Sequence, residues 1–576
     1  MKRMISAICA ALLALSLFGC GVKTSKDLSN STVTGKVTAI NGSSIILQLG
    51  ELTGSSSGTA PSGGGTASGA APSGAPSGNV PSGQAPSGDI PSGNAPSGGG
   101  NASGSSASFK AGETSVTITA DDSVAVTVEG AASDTKTTAA DIAVDDVLEV
   151  TFGDNNTVTA VTVKNLSGGN SGGGFGGSST VTNGTAANTI TEDTTVSDST
   201  YTSTGDDENA LRVDGSTVTL SGITIEKTSG ESSNTENGDF YGQNAGLLAL
   251  NGAQVTIKGA TVNTSVKNGN GVFSYGYGTT VNISDSKITT TGNNSGGIQT
   301  TGGATTNASN LNVSTAGNSA AAIRSDRGGG TVVVDGGTYA TSGTGSPTIY
   351  STADITAKNS TLTALNSEAI VVEGLNSVTL ENCDLTGNMT GTYNGDGTEN
   401  IHNIMLYQSM SGDAEVGTSS FSATGGSIKA TTGDMFYVTN TNSKISLDNV
   451  ELALANGTLL KVAGNSSSRG WGTAGQNGGK VTFTASNMTL AGNITVDSIS
   501  TLNFTLADGC SFKGTVNIVN NEANGTTVSD NAVITVAKGA TWTLSGNCKI
   551  TSLTDNGTIN FNGYKIVLAD GTVLNG

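Results

Sequence analysis

Histidine is almost missing from this chain of 576 residues, in which His402 is the only one. Aromatic residues make up 4% and charged residues 12%, and that charged share is about half of the usual ~25%. So few aromatic residues exclude a large conventional globular core, and so little charge excludes a coiled coil or a solvated helical bundle. The charges are also unbalanced, with 25 basic and 45 acidic residues and a net charge of −20. This charge repels phosphate groups, so we expect no nucleic-acid partner and no binding to anionic head groups.

Glycine, in contrast, is abundant. The 84 glycines are 84/576 of the chain, or about 15%, against a usual share of ~7%. A collagen-like triple helix is excluded because glycine has no three-residue period and there are only 8 prolines. The composition therefore indicates an exported, monomeric all-β chain built from small residues.

The first twenty residues form an export signal. A short basic start, with Lys2 and Arg3, precedes an apolar run over 5–17 that is too short to span a bilayer. The run ends in Leu17-Phe18-Gly19-Cys20, which resembles the bacterial lipobox, although Phe18 stands where a small residue is usual. The resemblance implies a lipoprotein signal peptide over 1–19, lipidation of Cys20, a tether over 20–30, and an exported, surface-exposed protein anchored to the bacterial envelope through its lipid. The alternative is a plain signal peptide with an incidental cysteine.

Two linkers divide the rest of the chain. Seven of the eight prolines lie between 61 and 96, largely as a Pro-Ser-Gly repeat, which predicts a disordered insertion at about 54–105. Strand-like runs flank it on both sides, at 33–49 and between 115 and 163. We predict one small β-barrel-like domain over 31–165, and the alternative is two unrelated fragments on either side of a stalk. A glycine-rich linker follows over 166–180.

A repeat fills the rest of the chain, 181–576. A strand residue, in most repeats apolar, is followed seven positions later by a second apolar residue, and this pair recurs ten times. The first members are Val218, Val255, Val281, Thr306, Val332, Ile355, Val378, Phe421, Ile445 and Phe483. Six of the nine steps between them are 23–26 residues, whereas the steps of 37, 43 and 38 residues contain polar insertions. Another short strand precedes most repeats, and three short strands in about 24 residues predict a right-handed parallel β-helix of about a dozen coils, roughly 60 Å long.

This coil pattern resembles the pectate-lyase-like β-helix superfamily. The closing stretch Ala540-Thr-Trp-Thr-Leu-Ser-Gly-Asn-Cys-Lys-Ile-Thr-Ser-Leu is similar to the last coils of adhesin and autotransporter passenger domains. The stretch from Ala320 to Ser409 resembles adhesin-like bacterial surface proteins. The resemblance implies a fold and a surface location, and it names no ligand.

One strip of residues could bind or cleave a sugar. Aligning Ile323, Ile349, Ile370 and Ile404 places Asp326, Thr352, Glu373 and Tyr407 in one column, with Arg324 beside Tyr350. As a binding site, the prediction comprises Arg324, Asp326, Arg327, Tyr350, Glu373, Tyr407 and Trp471. As a polysaccharide lyase or hydrolase, the catalytic residues would be Arg324, Asp326, Glu373 and Tyr407. The competing interpretation is a surface ion pair that joins adjacent coils.

Metal and disulfide signals are weak. Asp239, Asp396 and Glu399 lie in acidic, glycine-rich insertions that could bind Ca²⁺, but these lack EF-hand spacing, so solvated loops are the alternative. No other metal or cofactor is predicted. Cys383, Cys510 and Cys548 form no disulfide framework, and we interpret them as small buried side chains, with a bridge between Cys510 and Cys548 left open.

The function that these patterns favour is non-catalytic adhesion or binding to carbohydrate or to a host or neighbouring cell surface. His402 lacks the neighbours that a β-helix hydrolase requires. The alternatives are a β-helix polysaccharide lyase or glycoside hydrolase and a purely structural envelope spacer.

Overall fold

The computed structural model describes residues 28–41, 44–53, 108–119, 124–128, 142, 146–164, 181–391 and 400–576. The chain divides into two units, 1–176 and 177–576. The predicted signal peptide, Cys20, the Pro-Ser-Gly insertion, the whole glycine-rich linker, Asp396 and Glu399 lie outside the described residues.

The first unit is a six-stranded sheet. Its strands are β1 Thr32–Asn41, β2 Ser44–Thr53, β3 Ser108–Thr119, β4 Ala125–Val128, β5 Val147–Phe152 and β6 Val158–Val163, with a 3-10 turn at Asp154–Asn156. The strand order is β3-β2-β1-β5-β6-β4, in which only β4 and β6 are parallel. Because β2 pairs with β3, the strands on both sides of the proline-rich insertion belong to one sheet. Alternating apolar side chains form its core: Val37, Leu47, Leu148, Val150 and Val161.

The second unit consists of short strands and one helix. The first part contains β7 Thr185–Ala186, β8 Thr189–Ile190, β9 Thr194–Ser197, β10 Thr200–Ser203, β11 Glu208–Asn209, β12 Leu211–Asp214, β13 Thr217–Ser221, β14 Thr224–Lys227, α1 Thr235–Tyr241, β15 Leu247–Leu250, β16 Gln254–Lys258, β17 Thr261–Thr264, β18 Val272–Tyr275, β19 Thr280–Ser284, β20 Lys287–Thr290, β21 Ile298–Thr301 and β22 Ala304–Thr315. The middle part contains β23 Ile323–Arg324, β24 Gly330–Thr341, β25 Ile349–Ser351, β26 Asp354–Lys358, β27 Thr361–Ala364, β28 Ile370–Glu373, β29 Ser377–Glu381, β30 Asp384–Gly387, β31 His402–Tyr407, β32 Thr418–Thr424, β33 Ser427–Ala430, β34 Asp434–Thr439, β35 Asn442–Asp448, β36 Glu451–Ala453 and β37 Thr458–Val462. The last part contains β38 Lys480–Ser486, β39 Thr489–Ala491, β40 Asn493–Asp497, β41 Thr501–Leu506, β42 Ser511–Gly514, β43 Val516–Val519, β44 Ala532–Val536, β45 Thr541–Leu544, β46 Cys548–Lys549, β47 Ser552–Asp555, β48 Thr558–Asn560, β49 Lys565–Val567 and β50 Val573–Asn575.

These strands stack as a right-handed parallel β-helix, as the repeat predicted. A typical coil has one strand in a 16-stranded sheet, called sheet 2, and two strands in a 22-stranded sheet, called sheet 1. Near the C-terminal end, β39, β42, β45 and β48 form a separate four-stranded sheet. Pairing between coils is parallel, except that β50 pairs antiparallel with β49 at the end.

The predicted repeat is also the register of sheet 1. All ten first members pair in succession, from Val218 with Val255 to Ile445 with Phe483. The second members also pair in succession from Ile225 to Leu452, but Leu490 departs because β39 starts the separate sheet. These side chains stack into a single core that runs through the coils. A row of aromatic rings continues that core towards the C-terminal end: Phe421, Phe436, Phe483, Phe504, Phe512 and Trp542.

A left-handed residue makes the tight bend between the two members of each of the ten pairs, and this bend lies inside the long strands β22 and β24 in two of the coils. The residues are Gly222, Gly259, Asp285, Asn310, Gly336, Asn359, Asn382, Gly425, Asn449 and Asn487, all with positive φ. Glycine, asparagine and aspartate tolerate this conformation best, which explains part of the glycine content. Asparagine adds a link between coils, because Asn310 Nδ2 donates to Asp285 Oδ1 at 2.9 Å and Asn359 Nδ2 to Asp335 Oδ1 at 2.7 Å.

Within the described residues, no helix has the length and apolarity needed to cross a membrane.

Candidate ligand-binding groove

One row of outward side chains runs along sheet 2. Strand side chains alternate, so when Ile323, Ile349 and Ile370 pack into the core, the residues after them point to the opposite face. The register gives this outer row as Leu248, Phe273, Gln299, Arg324, Tyr350, Val371, Met405, Tyr437 and Lys461. Strands β31 and β34 are buried at every residue, so both of their faces are covered.

The covering segments are the insertions that lengthen three of the repeats. They comprise 228–246, which contains α1, the described residues 388–391 and 400–401 before β31, the segment 408–417 after β31, and 463–479 after β37. Each insertion leaves or enters a strand of sheet 2, and each contributes residues to the walls around the outer row. The three irregular steps in the sequence therefore mark one face of the β-helix.

These segments enclose a groove with two adjoining lobes. The first lobe, about 270 Å³, is lined by Asp239, Phe240, Ser319, Ala321, Arg324, Asp326, Gly345, Pro347, Tyr350, Glu368, Val371, Met389, His402, Met405, Tyr407, Asp413, Arg469 and Trp471. The second lobe, about 310 Å³, includes Asn400, Tyr437, Lys461, Asn465, Asp497, Asn521 and Glu522. His402, Arg469 and Trp471 line both lobes. Between β23 and β43, sheet 2 has seven strand spacings of ~4.8 Å, so the groove extends about 34 Å along the coil axis.

A buried glutamate holds two tyrosines in the first lobe. Glu373 is fully buried, and its Oε2 accepts hydrogen bonds from Tyr350 Oη at 2.6 Å and Tyr407 Oη at 2.9 Å. Its Oε1 accepts from the hydroxyl of Ser409 and from the Ser409 amide, the latter at 3.3 Å. Burial, followed by the charge of Glu373, raises the pKa of both tyrosines well above its ordinary value. Both hydroxyls are therefore protonated donors to Glu373, and each oxygen can still accept a hydrogen bond from a ligand.

An arginine with two carboxylates closes the other end of this lobe. Arg324 Nε contacts Asp326 Oδ2 at 2.7 Å, and Arg324 Nη2 contacts Asp239 Oδ1 at 3.1 Å. Asp239 belongs to α1, so the ion pair ties that insertion to the floor of the groove. Burial raises the pKa of both carboxyl groups, although Arg324 opposes the effect, and the pKa of Asp326 rises to about 7. Burial disfavours the charged guanidinium too, but the two carboxylates outweigh it and raise the pKa of Arg324.

A second arginine joins two of the insertions. Arg327 Nε and Nη2 donate to Asp413 Oδ1 at 2.9 and 2.6 Å. Its guanidinium carbon lies 3.8 Å from the centre of the Phe240 ring. Arg327 thereby connects the 408–417 segment to α1, and the two segments form one continuous wall.

Aromatic rings mark the boundary between the lobes. Trp471 packs against Tyr407 with ring centres 4.7 Å apart, and the Arg469 guanidinium lies 5.0 Å from the Trp471 ring. In the second lobe, Tyr437 packs against His402, and Lys461 Nζ donates to Asn400 Oδ1 at 2.9 Å. Tyr350, Tyr407, Tyr437, Met405 and Trp471 thus form an apolar cluster separate from the core of the β-helix.

All seven residues predicted for a binding strip lie at this groove. Five line the first lobe, whereas Glu373 lies behind Tyr350 and Tyr407, and Arg327 lies behind Asp413. The predicted column is correct for Glu373 and Tyr407, which pair in register. Asp326 departs from it because β23 ends at Arg324, and the carboxylate turns back onto that arginine.

Two of the sequence interpretations need correction. The ion pair at Arg324 is not a surface contact, since Arg324 is only 4% exposed. Asp239 is not in a solvated loop, because it belongs to α1 and its carboxylate binds Arg324, Asn268 and Asn294. Among the described residues, no three His, Cys, Asp or Glu side chains are grouped to hold a metal ion.

Cys510 and Cys548 are free and buried, so they form no disulfide bridge, and burial raises the pKa of both thiols.

The sequence reasoning missed several groove residues, namely Asp413, Tyr437, Lys461 and Asp497. Their signal was present in the three long steps between repeats, which place insertions beside sheet 2. Three of the four arginines that follow Arg3 in the sequence (Arg324, Arg327 and Arg469), the single histidine and one of the two tryptophans lie at this groove. Arginine, histidine and tryptophan, all scarce in the chain, therefore meet at one place.

No protein-family model and no curated protein matches the chain. Among solved structures, a chain of the cryo-EM structure of the Vag8–C1 inhibitor complex is similar, at 16% identity and a TM-score of 0.37. The match covers 65% of this chain and 98% of that one. Identity and TM-score at this level give no information on function.

Proposed function

We propose that this chain is an exported surface protein that binds carbohydrate in the groove of sheet 2 without cleaving it. The observation that carries the proposal is that scarce residues, namely three arginines, the single histidine and one of the two tryptophans, lie along one groove whose walls are insertions into the repeat. A β-helix needs none of these insertions to close its coils. We also propose a pectate-lyase-like origin for the fold, on the strength of the coil pattern.

Sugar binding is supported by the chemistry of the groove walls. Tyr350, Tyr407, Tyr437 and Trp471 offer aromatic surface, and Asn465, Asn521 and Lys461 offer hydrogen-bond donors close to it. A pyranose ring presents the complementary surfaces, since its C–H faces pack on aromatic rings and its hydroxyl groups hydrogen-bond to polar side chains. A groove about 34 Å long suits an oligosaccharide rather than a single sugar.

Binding without cleavage is supported by the state of the acids. A glycosidase needs one carboxyl group that protonates the leaving oxygen and a second that attacks or activates water. Glu373 already accepts four hydrogen bonds and lies behind the tyrosines, and Asp326 is bound to Arg324 and Gln299. Neither carboxylate is arranged as a member of such a pair.

The test uses the two tryptophans as reporters. Trp542 is fully buried in the core, so a saccharide that enters the groove should change only the fluorescence of Trp471. We expect a saturable change in Trp471 fluorescence for the full chain on a glycan panel, and its loss in Trp471→Phe would assign the signal to that ring. Binding to the variants is measured by titration calorimetry, because variants at position 471 lack the reporter. Trp471→Ala should bind at least tenfold more weakly, because truncation of a central aromatic costs ~2 kcal/mol. Thr256→Ala, an exposed change on sheet 1, is the matched control and should bind as the wild type does.

Two outcomes would overturn the proposal. One is turnover of any bound saccharide, detected as new reducing ends or unsaturated products and abolished in Glu373→Gln or Asp326→Asn, which would establish the lyase or hydrolase alternative. The other is the absence of any saccharide response from the folded chain, which would leave a structural spacer.

Anchoring is a separate part of the proposal and has its own test. We propose that Cys20 carries lipid and anchors the protein to the bacterial envelope, because residues 17–20 resemble a lipobox at every position except Phe18 and an apolar run precedes them. Cys20→Ala should release the protein into the medium, whereas Cys383→Ala, a buried thiol in the β-helix, should not. Membrane retention of Cys20→Ala would contradict lipidation.

A further inference from the structure

The buried cluster at the end of the first lobe carries unequal numbers of opposite charges. Asp239 and Asp326 are 8% exposed each and share the single guanidinium of Arg324. The neighbouring Arg327 does not correct the imbalance, because Asp413 already occupies it. One negative charge is therefore left over in a position with little access to water, where an uncompensated charge is costly.

Other residues that line this lobe leave the imbalance in place. Six charged side chains line it, four of them acidic and two basic. The remaining acid, Glu368, accepts a hydrogen bond from Ser367. The remaining base, Arg469, lies over Trp471 at the boundary with the second lobe.

One oxygen of Asp326 is available to a ligand. Its Oδ2 accepts hydrogen bonds from Arg324 Nε at 2.7 Å and Gln299 Nε2 at 2.6 Å. Its Oδ1 receives no hydrogen bond from the described part of the chain, although the residue is more than nine-tenths buried and lines the lobe. A carboxylate oxygen accepts readily, and the best donor for it is a cation that also neutralises the excess charge.

We infer that the first lobe binds a saccharide bearing a protonated amino group, and that this ammonium group contacts Asp326. The inference rests on the proposed function, to which it adds a ligand class. When the lobe is empty, a proton can serve instead of the ammonium group. This agrees with the raised pKa of Asp326, which burial causes and the charges of Asp239 and Asp413 increase against the effect of Arg324.

The experiment compares two ligands that differ only at nitrogen. Glucosamine oligomers and N-acetylglucosamine oligomers of equal length are titrated into the full chain, with Trp471 fluorescence as the readout. We expect the free-amine oligomer to bind at least tenfold more tightly, since a charge-assisted hydrogen bond in a buried site is worth ~1.5–3 kcal/mol. Asp326→Asn should abolish the preference, measured as the ratio of the two dissociation constants in the same variant. Thr256→Ala, an exposed change on sheet 1 outside the groove, is the control and should keep the preference.

The outcomes separate this inference from the proposed function. Equal binding of the two oligomers by the wild type overturns the inference and leaves carbohydrate binding intact, and this comparison needs no variant to fold. Failure of every saccharide to bind overturns both. Equally tight binding of a lysine tripeptide overturns the inference as well, because the lobe would then recognise charge without sugar.

Discussion

Replacing Glu373 by glutamine tests whether hydrogen bonds to a buried carboxylate organise the first lobe. The carboxylate receives two tyrosine hydroxyls on Oε2 and the hydroxyl and amide of Ser409 on Oε1. A glutamine amide has one oxygen and one NH₂ group, so it cannot accept at both ends. The Ser409 amide cannot reverse its direction, whereas the tyrosine hydroxyls can rotate. The glutamine should therefore keep its oxygen towards Ser409 and donate to Tyr350 and Tyr407.

The expected loss in the free energy of unfolding follows from the hydrogen bonds that change. A hydrogen bond to a charged group contributes ~1.5–3 kcal/mol and a neutral one ~0.5–1.5 kcal/mol, so the two reversed bonds lose ~2 kcal/mol together. Glu373→Ala removes both acceptor oxygens, and with them all four hydrogen bonds, and leaves a cavity at a fully buried position, for which we expect a loss of ~4 kcal/mol. The free energy of unfolding should therefore decrease from the wild type to Glu373→Gln and again to Glu373→Ala, by ~2 kcal/mol at each step.

Urea unfolding of the full chain, followed by fluorescence, measures these differences. A tyrosine titration by ultraviolet absorbance adds an independent readout, because the charge of Glu373 contributes to the raised pKa of Tyr350 and Tyr407. Both pKa values should fall in Glu373→Gln. The reasoning is refuted if glutamine and alanine destabilise equally, or if glutamine leaves the tyrosine titration unchanged.

Three further predictions concern the cluster, the turns and the core. Because Asp326 has a pKa of about 7 in the folded chain against about 4 when unfolded, the folded state holds its proton more tightly, so stability should fall as pH rises between these values. The urea midpoint should be higher at about pH 5 than at about pH 8, and Asp326→Asn should reduce this difference. If the difference in midpoint is unchanged in the variant, the pH dependence of stability belongs to other groups. Gly252→Ala should lower the free energy of unfolding by ~1 kcal/mol, because its φ of 80° alone strains an alanine. Gly426→Ala should lower it by ~3 kcal/mol, because its Cβ would also clash with the carbonyl oxygen of Cys383. Equal losses for the two variants in the same unfolding assay would contradict the steric argument. Trp542→Ala should destabilise by ~3–5 kcal/mol without changing saccharide affinity in the remaining molecules, since that ring is fully buried in the core away from the groove; a loss of affinity in the folded variant would show that the core and the groove are coupled.

The periodic part of the molecule could be predicted from the sequence because its cause is local. A strand alternates side chains between two faces, and a turn between two strands needs a residue that tolerates positive φ. Both the inward apolar residues and the turn residue occur within eight positions, for example as Val218, Gly222 and Ile225. The same spacing recurs along the chain. Each coil packs on the next through the same positions, so the pattern also gave the register.

The groove depended on contacts that no local pattern contains. Asp239 meets Arg324 across 85 residues and Asp413 meets Arg327 across 86, because insertions from distant coils fold back over the same sheet. From the sequence alone, Arg324 could equally well be a surface residue, and Asp239 could belong to a solvated loop. Only the packing of α1 and of the 408–417 segment buries them and leaves two carboxylates to share one arginine. The sequence by itself determined the coils and the position of each insertion, whereas the tertiary structure decided which charges meet, because burial and pairing depend on how separate insertions pack against one another.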